Sequence, residues 1–416
     1  MATTHYEWIP GEEPPVLAAH SIAKHDVLSA YLGKYVGILA ARRVQDQLKL
    51  TLVDGFSGGG CYRHWQTKER IPGSPLIMLD AMREAEIQAN IGRKKPFHLN
   101  VQFVFIDRAK PTIEYLKSEL HQHEAARHFL DSTNVICDGF SAQLDDILSM
   151  IRRRQRAGRA IFVLDQYGYT DVPMSDVRKI FRRLPKAEVI LTVATDWLID
   201  HWQDGTVRKL GLEFPPGLLD KIKEDNPVEW RRAIQFHLHE EFHAKSGAGY
   251  YTPFFVVSPK AHRSYWLLHF SAHPKARDVM TELHWQLENH FEHYGGPAFY
   301  MLGYNPRRDN ARLGYQGLPF GFDSFAAKES QDALAAELPQ MIASFPEGIP
   351  FGEFFKRVVN DTPATKSMLA DAIRGLTCEK ELELLTDEGK LRQNGVRIAN
   401  SDIVRFPRQT RIIFQG

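Results

Sequence analysis

The first half of the chain alternates between short apolar runs and segments with helical periodicity. A helix is predicted over residues 20–41, where apolar residues recur at spacings of three and four. Apolar runs of strand length then follow at residues 48–53, 101–106, 134–137, 160–164 and 188–193. Strands that alternate with helices require crossover connections, which predicts a parallel sheet covered by helices on both faces.

After residue 193 the alternation stops. Residues 196–244 are predicted to be mostly helical, and two further strands are predicted at 254–257 and 265–270. The connection between these two strands is short, as it is between antiparallel neighbours. A five-stranded parallel sheet closed by an antiparallel hairpin is the layout of the class I methyltransferases, so we expect this Rossmann-like α/β fold.

The C-terminal part of the chain has a different pattern. Residues 346–350 have the composition of a linker, and short helices are predicted at 351–360, 365–376 and 379–385. Asn394-Gly395 is a strong signal for a two-residue hairpin between strands at 390–393 and 396–399. This pattern predicts a winged helix. The expected organisation is an extended arm (1–19), a methyltransferase-like domain (20–345, with a helical insertion at about 196–250) and a winged-helix domain (346–416).

Four consecutive predicted strands end in an acidic residue: Asp54, Asp107, Asp138 and Asp165. In an open α/β sheet, these carboxyl ends line the ligand crevice. Asp107 has the position at which adenosine-binding folds place a carboxylate for ribose hydroxyls, and Asp138 could accept from an adenine amino group. Each aspartate alone also suits a helix N-cap, but the set of four favours an adenosine ligand.

The first of these strands runs into a glycine-rich loop, Gly55-Phe56-Ser57-Gly58-Gly59-Gly60. Consecutive glycines let the backbone turn sharply and approach a ligand closely, although they also suit a tight strand-to-helix turn. The loop is neither a Gly-x-Gly-x-x-Gly motif nor a phosphate-binding loop, which argues against a nicotinamide or a nucleoside triphosphate.

As an ordered set over about residues 18–300, these motifs resemble the three-Cys-motif partner protein (TcmP) family, which is class I methyltransferase-like. The matching segments are His20-Ser21-Ile22-Ala23-Lys24-His25, Val53-Asp54-Gly55-Phe56-Ser57-Gly58-Gly59-Gly60, Gly73-Ser74-Pro75-Leu76, Phe105-Ile106-Asp107, Cys137-Asp138-Gly139-Phe140, Leu164-Asp165-Gln166-Tyr167-Gly168 and Tyr265-Trp266-Leu267-Leu268-His269-Phe270. The resemblance implies S-adenosylmethionine as cofactor. Its implied binding residues are Asp54, Gly55, Phe56, Gly58 and Gly60 in the loop, Asp107 on the ribose and Asp138 near adenine.

The resemblance also implies catalytic roles for Asp165, Gln166 and Tyr167. They are the counterpart of an Asp-Pro-Tyr/Phe-Gly motif with which amino-methyltransferases orient a target amine and stack a flipped base. Gln166 replaces the proline and loses its fixed φ, which leaves the amino group of a base as target open. The implied function is methylation of nucleic acid, DNA or RNA, beside a three-Cys-motif protein. The alternative is a non-catalytic or partner-dependent module that binds nucleic acid or protein.

Net charge does not discriminate between partners, because 52 Lys and Arg face 51 Asp and Glu. The residues from 390 onward are locally basic, with a single acid, Asp402. On a wing they would form a phosphate-contacting surface, although winged helices also bind proteins. The candidate nucleic-acid-binding residues are Lys390, Arg392, Arg397, Arg405, Arg408 and Arg411.

His239-Glu240-Glu241-Phe242-His243 matches the His-Glu-x-x-His motif of zinc hydrolases. Glu282 and Glu288 are the candidates for a third ligand. With 18 histidines in the chain, a chance match is common, so a zinc hydrolase is a minor alternative and no metal is predicted.

The cellular location is predicted from what the chain contains. Its three cysteines are far apart and odd in number, which fits a reducing compartment better than a disulfide framework. No early stretch resembles a signal peptide, and no run reaches the roughly 18 apolar residues of a membrane span. We therefore expect a cytoplasmic protein without a membrane partner.

Overall fold

The structure is a computed structural model that describes residues 6–42, 44–225, 227, 230–258, 263–287, 291–292, 297–299, 322–393 and 395–407. These residues form two compact units. The first unit ends at Glu292, and the second contains the described residues from 297 onward.

The first unit alternates strands and helices up to residue 193. Its elements, in chain order, are β1 (Val16–Leu17), α1 (Ala19–Ala40), β2 (Gln47–Asp54), β3 (Cys61–His64), β4 (Arg70–Pro72), α2 (Ser74–Asn90), β5 (His98–Asp107), α3 (Lys110–Gln122), α4 (Glu124–Phe129), β6 (Thr133–Cys137), α5 (Phe140–Arg154), β7 (Ala160–Leu164), α6 (Met174–Arg183), β8 (Ala187–Val193), α7 (Thr195–Asp200), α8 (Asp204–Lys209), α9 (Leu218–Asp225), α10 (Trp230–Ser246), β9 (Tyr250–Ser258), β10 (Arg263–Ser271), α11 (Pro274–Leu287) and β11 (Phe291–Glu292). The predicted helical insertion corresponds to α7–α10.

The main sheet of the first unit has eight strands in the order β11-β9-β10-β8-β7-β2-β5-β6. The strands β6, β5, β2, β7 and β8 are parallel to one another, and β10 is antiparallel to both of its neighbours, β8 and β9. In the class I methyltransferase arrangement, five parallel strands are followed by one antiparallel strand that lies between the fifth parallel strand and a further strand. Here β10 lies in this way between β8 and β9. The predicted fold class is therefore confirmed. A separate small sheet has the order β1-β3-β4.

The burial of the strands in the core of this unit explains why they could be predicted from the sequence. Every residue of β7 and β8 is buried, and nearly all of them are apolar. Strands of a parallel sheet are covered on both faces and therefore consist of continuous apolar runs. The helix α6 contributes an apolar face that includes Met174, Val177, Ile180 and Phe181.

The second unit is a winged helix. Its elements are α12 (Ser324–Ile342), β12 (Ile349–Pro350), α13 (Phe351–Val358), α14 (Lys366–Cys378), β13 (Glu383–Leu385) and β14 (Ile403–Arg405), and its sheet has the order β12-β14-β13. The unit extends beyond the predicted segment 346–416, because α12 packs against α14. Leu334, Leu338, Phe354, Leu369 and Ile373 are fully buried in it.

Two predicted elements of the winged helix were wrong. Residues 379–385 are not a helix: α14 ends at Cys378, Lys380 has a left-handed φ of 64°, and β13 follows. The hairpin strands are not next to Asn394-Gly395 either, because β13 pairs with β14. Burial of Leu384 against Val404, which are Cα partners, outweighs the local turn signal.

Two further findings concern the described residues as a whole. None of their helices combines the length and the hydrophobicity that a membrane span needs. Cys61, Cys137 and Cys378 are all free thiols, and Cys61 is buried.

Candidate active site

The carboxyl ends of β7, β2, β5 and β6 are neighbours in the sheet, and the chain reverses its direction of winding between β2 and β7. Ligands of open α/β sheets bind at such a switch point. The four strand-end aspartates singled out from the sequence all belong to this edge. Their surroundings, however, differ strongly.

Asp54, at the end of β2, is fully buried. Its Oδ1 accepts from the Phe56 N–H at 3.1 Å. Its Oδ2 has no hydrogen-bond partner of normal geometry in the described part of the chain. Burial raises the pKa of Asp54 to about 7, against the opposing effects of the Ser74 hydroxyl and the Phe56 N–H. Asp54 is thus a buried carboxyl group with the Ser74 hydroxyl nearby, and its Oδ2 forms no hydrogen bond of normal geometry within the described residues.

The glycine loop after β2 is covered by the N-terminal arm. Gly58 has a left-handed φ of 58°, and a Cβ atom there would lie 2.7 Å from the Trp8 ring. A Cβ atom on Gly59 would lie 2.2 Å from the same ring. Trp8 is 6% exposed, and its indole N–H donates to the Cys61 carbonyl at 2.8 Å. The two glycines are therefore required by the packing of Trp8. Sequence analysis missed this contact, which spans some fifty residues.

The other two loop glycines also have close neighbours. A Cβ atom on Gly55 would lie 2.6 Å from the Leu164 side chain, and one on Gly60 would lie 2.7 Å from Leu116. Gly60 has a φ of 81° as well. The half-buried Phe56 ring lies 6.4 Å from the Phe140 ring, centroid to centroid. The loop conformation is thus set by the core beneath it.

Asp107 and Asp138 both bind backbone N–H groups. Asp107 accepts from the Gly58 N–H at 3.2 Å and from the Ala109 N–H at 2.9 Å, which ties the end of β5 to the glycine loop. Asp138 accepts from Gln143 and from the Gly139 N–H, each at 2.7 Å, and these bonds lower the pKa of Asp138. A carboxylate has about four acceptor positions, and these two partners of Asp138 take two of them.

Asp165, directly after β7, forms an ion pair with Lys24 of α1. The Lys24 Nζ atom is 2.7 Å from both carboxylate oxygens. Burial works against ionisation of Asp165, but the Lys24 ammonium and a hydrogen bond from the Thr192 hydroxyl outweigh it and lower its pKa. The sequence comparison included Lys24 in a family motif but gave it no role. The partners are 141 residues apart, so no local pattern predicts the pair.

Gln166 holds the loop after β7. It is 4% exposed, its Nε2 donates to the Thr192 carbonyl, and its Oε1 accepts from the N–H groups of Asp171 and Val172. With both ends of its amide engaged, Gln166 positions the loop. Tyr167, in contrast, is 46% exposed, so its ring is accessible to a substrate.

A cluster of aromatic rings lies near Asp165, whose charge acts on Tyr6, His25 and Tyr62. The Tyr62 ring lies 5.2 Å from the Trp8 ring, 5.4 Å from the Tyr6 ring and 6.1 Å from the His25 ring, centroid to centroid. Burial, assisted by the Lys24 charge, lowers the pKa of His25 to about 4, so His25 is neutral at pH 7. The Lys24–Asp165 pair therefore lies beside a packed, largely apolar aromatic cluster.

The His-Glu-x-x-His motif lies on α10. The rings of His239 and His243 are 5.0 and 5.6 Å from the Tyr251 ring, and burial lowers the pKa of His239 to about 3. Glu282 forms an ion pair with Lys34, and Glu288 lies outside the described residues. The described ranges contain no group of three or more His, Cys, Asp or Glu that could hold a metal ion. The two histidines pack against an aromatic side chain, and we do not propose a zinc hydrolase.

Comparison with known proteins supports the description of the second unit. Residues 303–389 match the family model of the GMT-like wHTH domain. No curated protein matches the chain at a significant level.

Several solved structures resemble the chain at low sequence identity. A protein from Legionella pneumophila is 10% identical over 62% of this chain and 91% of its own, with a TM-score of 0.36. A methyltransferase from Geobacter sulfurreducens is 13% identical over 58% and 78%, with a TM-score of 0.23. The plantazolicin methyltransferase BamL, solved with SAH, is 10% identical over 61% and 85%, with a TM-score of 0.23. These TM-scores are below 0.5, so the fold assignment rests on the strand order.

The wHTH unit carries the six residues predicted to contact phosphates, and three of them form ion pairs within the unit. Lys390 pairs with Glu388 at 2.8 Å, Arg392 with Asp402 at 2.6 Å and Arg405 with Glu383 at 2.9 Å.

Of the remaining three candidates, Arg408 and Arg411 lie outside the described residues. Arg397 is exposed, and within the part of the chain that the structure describes it has no ionic partner. Residues 322–407 contain 10 Lys and Arg against 14 Asp and Glu, so this segment of the unit is acidic rather than basic. The local excess of positive charge from residue 390 onward is thus compensated by acids that precede it.

Proposed function

We propose that the first unit is an S-adenosylmethionine-dependent methyltransferase that acts on nucleic acid. The observation that carries the proposal is the buried Oδ2 of Asp54 at the switch point of the sheet, which forms no hydrogen bond of normal geometry within the described residues. Asp107 and Asp165, on the two strands that flank β2, place further carboxylates at the same edge. Such a set suits a ligand that carries an ammonium group and ribose hydroxyls.

The residues present fit this cofactor. The Asp54 carboxyl would accept from the ammonium of its methionine part, since a cation offsets the cost of ionising a buried carboxyl group. Asp107, at the end of β5, would accept from the ribose hydroxyls. Asp138 accepts two hydrogen bonds from Gly139 and Gln143, and as a carboxylate with about four acceptor positions it would also accept from the adenine amino group. When bound, S-adenosylmethionine supplies an electrophilic methyl group.

The chain's own residues would then orient the acceptor. Asp165 accepts a hydrogen bond from the target amine, and the exposed Tyr167 ring stacks on the extruded base. The lone pair of the amine nitrogen forms the new N–C bond, the electron pair of the broken C–S bond stays on sulfur, and the surplus proton leaves the nitrogen for water. Asp165 contributes proximity and stabilises the positive charge that develops on nitrogen.

Nucleic acid as substrate and membership of the three-Cys-motif partner family are parts of the same proposal. The nucleic-acid substrate and the family membership are supported by a wHTH domain that follows the methyltransferase-like domain in the sequence, and by the ordered motifs between residues 18 and 300. The three-Cys-motif protein is then the expected protein partner. We place the enzyme in the cytoplasm, in keeping with its free cysteines.

The proposal is tested with labelled S-adenosylmethionine and pools of single-stranded DNA and RNA oligonucleotides. The full chain should transfer label to one of the pools, and Asp165→Ala should not. If the full chain binds S-adenosylmethionine but labels neither pool, with or without the three-Cys-motif protein, nucleic acid is not the substrate.

A second candidate is a partner-dependent module. It is favoured by Trp8, which packs against two glycines assigned to the cofactor, and by Lys24, which already occupies Asp165. In that case the chain alone should bind neither cofactor nor substrate productively, and the partner protein should induce both.

A further inference from the structure

The Lys24–Asp165 pair retains unused hydrogen-bonding capacity. An ammonium group has three N–H donors, and Lys24 uses two of them on Asp165. The carboxylate has about four acceptor positions, of which Lys24 takes two and the Thr192 hydroxyl one. Within the part of the chain that the structure describes, the pair therefore retains one donor on Lys24 and one acceptor position on Asp165. The Asp165 side chain is 34% exposed and that of Lys24 12%, so the pair is accessible from the crevice but firmly held.

We propose that this pair recognises the amino edge of a base, and that Lys24 is a substrate-binding residue. Lys24 donates to the ring nitrogen beside the amino-bearing carbon, which is N1 of adenine or N3 of cytosine. Asp165 accepts from the exocyclic amino group. The inference rests on the proposed function and narrows its substrate class to adenine or cytosine.

The charge of the pair explains why these two bases are favoured over guanine and uracil. On the Watson–Crick edge, N1 of guanine and N3 of uracil carry a proton. Neither nitrogen can therefore accept a hydrogen bond from Lys24, and neither can attack a methyl group until that proton has left. A carboxylate with an ammonium 2.7 Å from both oxygens is a weak base and does not take up that proton readily. An exocyclic amine attacks first and loses its proton afterwards, so it requires a hydrogen-bond acceptor rather than a base.

The flanking rings suit the same ligand. Tyr6 and Tyr62 lie close enough to Asp165 for its charge to contribute to the raised pKa of both phenols, after burial. Tyr167 is on the same loop as Asp165 and is exposed. Aromatic rings near the ion pair can stack on a flat base. The ion pair then selects among bases by hydrogen bonds to the Watson–Crick edge.

The test compares natural and deaza bases in single-stranded DNA and RNA oligonucleotides. One set contains adenine or 1-deazaadenine, and the other contains cytosine or 3-deazacytosine, so the sets also show which base is used. For the wild type, replacing the ring nitrogen by C–H should lower kcat/KM at least 10-fold, since a hydrogen bond from a charged donor is lost. For Lys24→Met the same replacement should change kcat/KM less than 3-fold.

Two variants control this comparison. Lys34, which is also on α1, forms an ion pair with Glu282 at 3.6 Å. Lys34→Met removes this lysine and should keep the wild-type difference in kcat/KM between natural and deaza bases. Lys24→Arg keeps the positive charge and should retain at least part of the difference in kcat/KM between natural and deaza bases. This variant provides a test of the position if Lys24→Met does not fold.

Two results would overturn the inference while the proposed function stands: equal use of natural and deaza bases by the wild type, or methyl transfer to guanine or uracil. A wild type that methylates no oligonucleotide, although it binds S-adenosylmethionine, would overturn both.

Discussion

The crevice of the first unit and the wing of the second unit were both identified from charged residues in the sequence. In the folded chain, the two regions differ in how completely these charges are paired. At the crevice, strands from distant parts of the chain come together. Among the described residues, Oδ2 of the buried Asp54 forms no hydrogen bond of normal geometry, and Asp165 forms an ion pair with Lys24. In the wing, Arg392 and Arg405 are each paired with an acid of the same small unit.

The difference shows that a charged side chain is available for function only if folding leaves it incompletely paired. Desolvating a charge is costly, so folded proteins tend to pair the charges that they bury. The exceptions are the positions that a ligand can complete. Asp54 is such a position, and the buried Asp402 beneath Arg392 is not.

The largest effect is expected for Asp165→Ala. Loss of the carboxylate should lower kcat/KM for methyl transfer about 10²–10³-fold, because the amine is no longer oriented and its developing charge is not stabilised. Calorimetry should show unchanged cofactor affinity. Asp131→Ala, at an exposed aspartate of the same unit, is the control and should be neutral. Full activity in Asp165→Ala would remove the catalytic role of the crevice.

Asp54 should make stability depend on pH. The folded pKa is about 7 and the reference value is 3.8, so between these values the folded protein holds one more proton than the unfolded chain. Stability should then fall as pH rises from about 4 to 7, by up to about 4 kcal/mol. Asp54→Asn cannot ionise and should lose this slope, which urea denaturation at a series of pH values will show. An identical slope in the variant would contradict the assignment.

The arm contact should be measurable as a coupling energy. Trp8→Ala should cost about 3 kcal/mol of the free energy of unfolding. Gly59→Ala should be similarly costly in the wild type, because its Cβ atom would displace the Trp8 ring. In the Trp8→Ala background the same change should cost less than about 0.5 kcal/mol. Additive costs would mean that the ring does not constrain the loop.

The wing should show the smallest effects, and they should be of two kinds. Arg392→Ala leaves the buried Asp402 without its ion-pair partner and should destabilise the wHTH unit by about 1–3 kcal/mol. Arg397→Ala should leave stability unchanged and reduce the salt dependence of nucleic-acid binding by about one charge. Gel-shift titrations at two salt concentrations and thermal melting distinguish the two. A large affinity loss in Arg392→Ala without destabilisation would restore that arginine as a phosphate contact.

An element could be predicted from the sequence where its own residues determine its structure, and was mispredicted where contacts with distant residues determine it. The strands β2, β5, β7 and β8 were predictable because burial on both faces demands continuous apolar runs. The strand-end aspartates follow from the same periodicity. The wing strands were misplaced, because a local turn signal at Asn394-Gly395 competes with the non-local pairing of β13 and β14.

The candidate site was predictable only in part, for the same reason. Lys24 meets Asp165 across 141 residues, and Trp8 meets Cys61 across 53. Neither contact leaves a periodic signal in the chain. A catalytic role was predicted for Gln166 because it belongs to the motif after the fourth predicted strand. Its hydrogen bonds to Thr192, Asp171 and Val172 depend on the folded loop and could not be predicted from the sequence.

The central claim is that the first unit binds S-adenosylmethionine at the ends of β2 and β5, and calorimetry on the full chain tests it most directly. One cofactor should bind per chain, and Asp107→Ala should weaken binding about 10- to 100-fold through the loss of hydrogen bonds between the ribose hydroxyls and a charged acceptor. The absence of binding at millimolar cofactor, or an unchanged affinity in Asp107→Ala, would contradict the account.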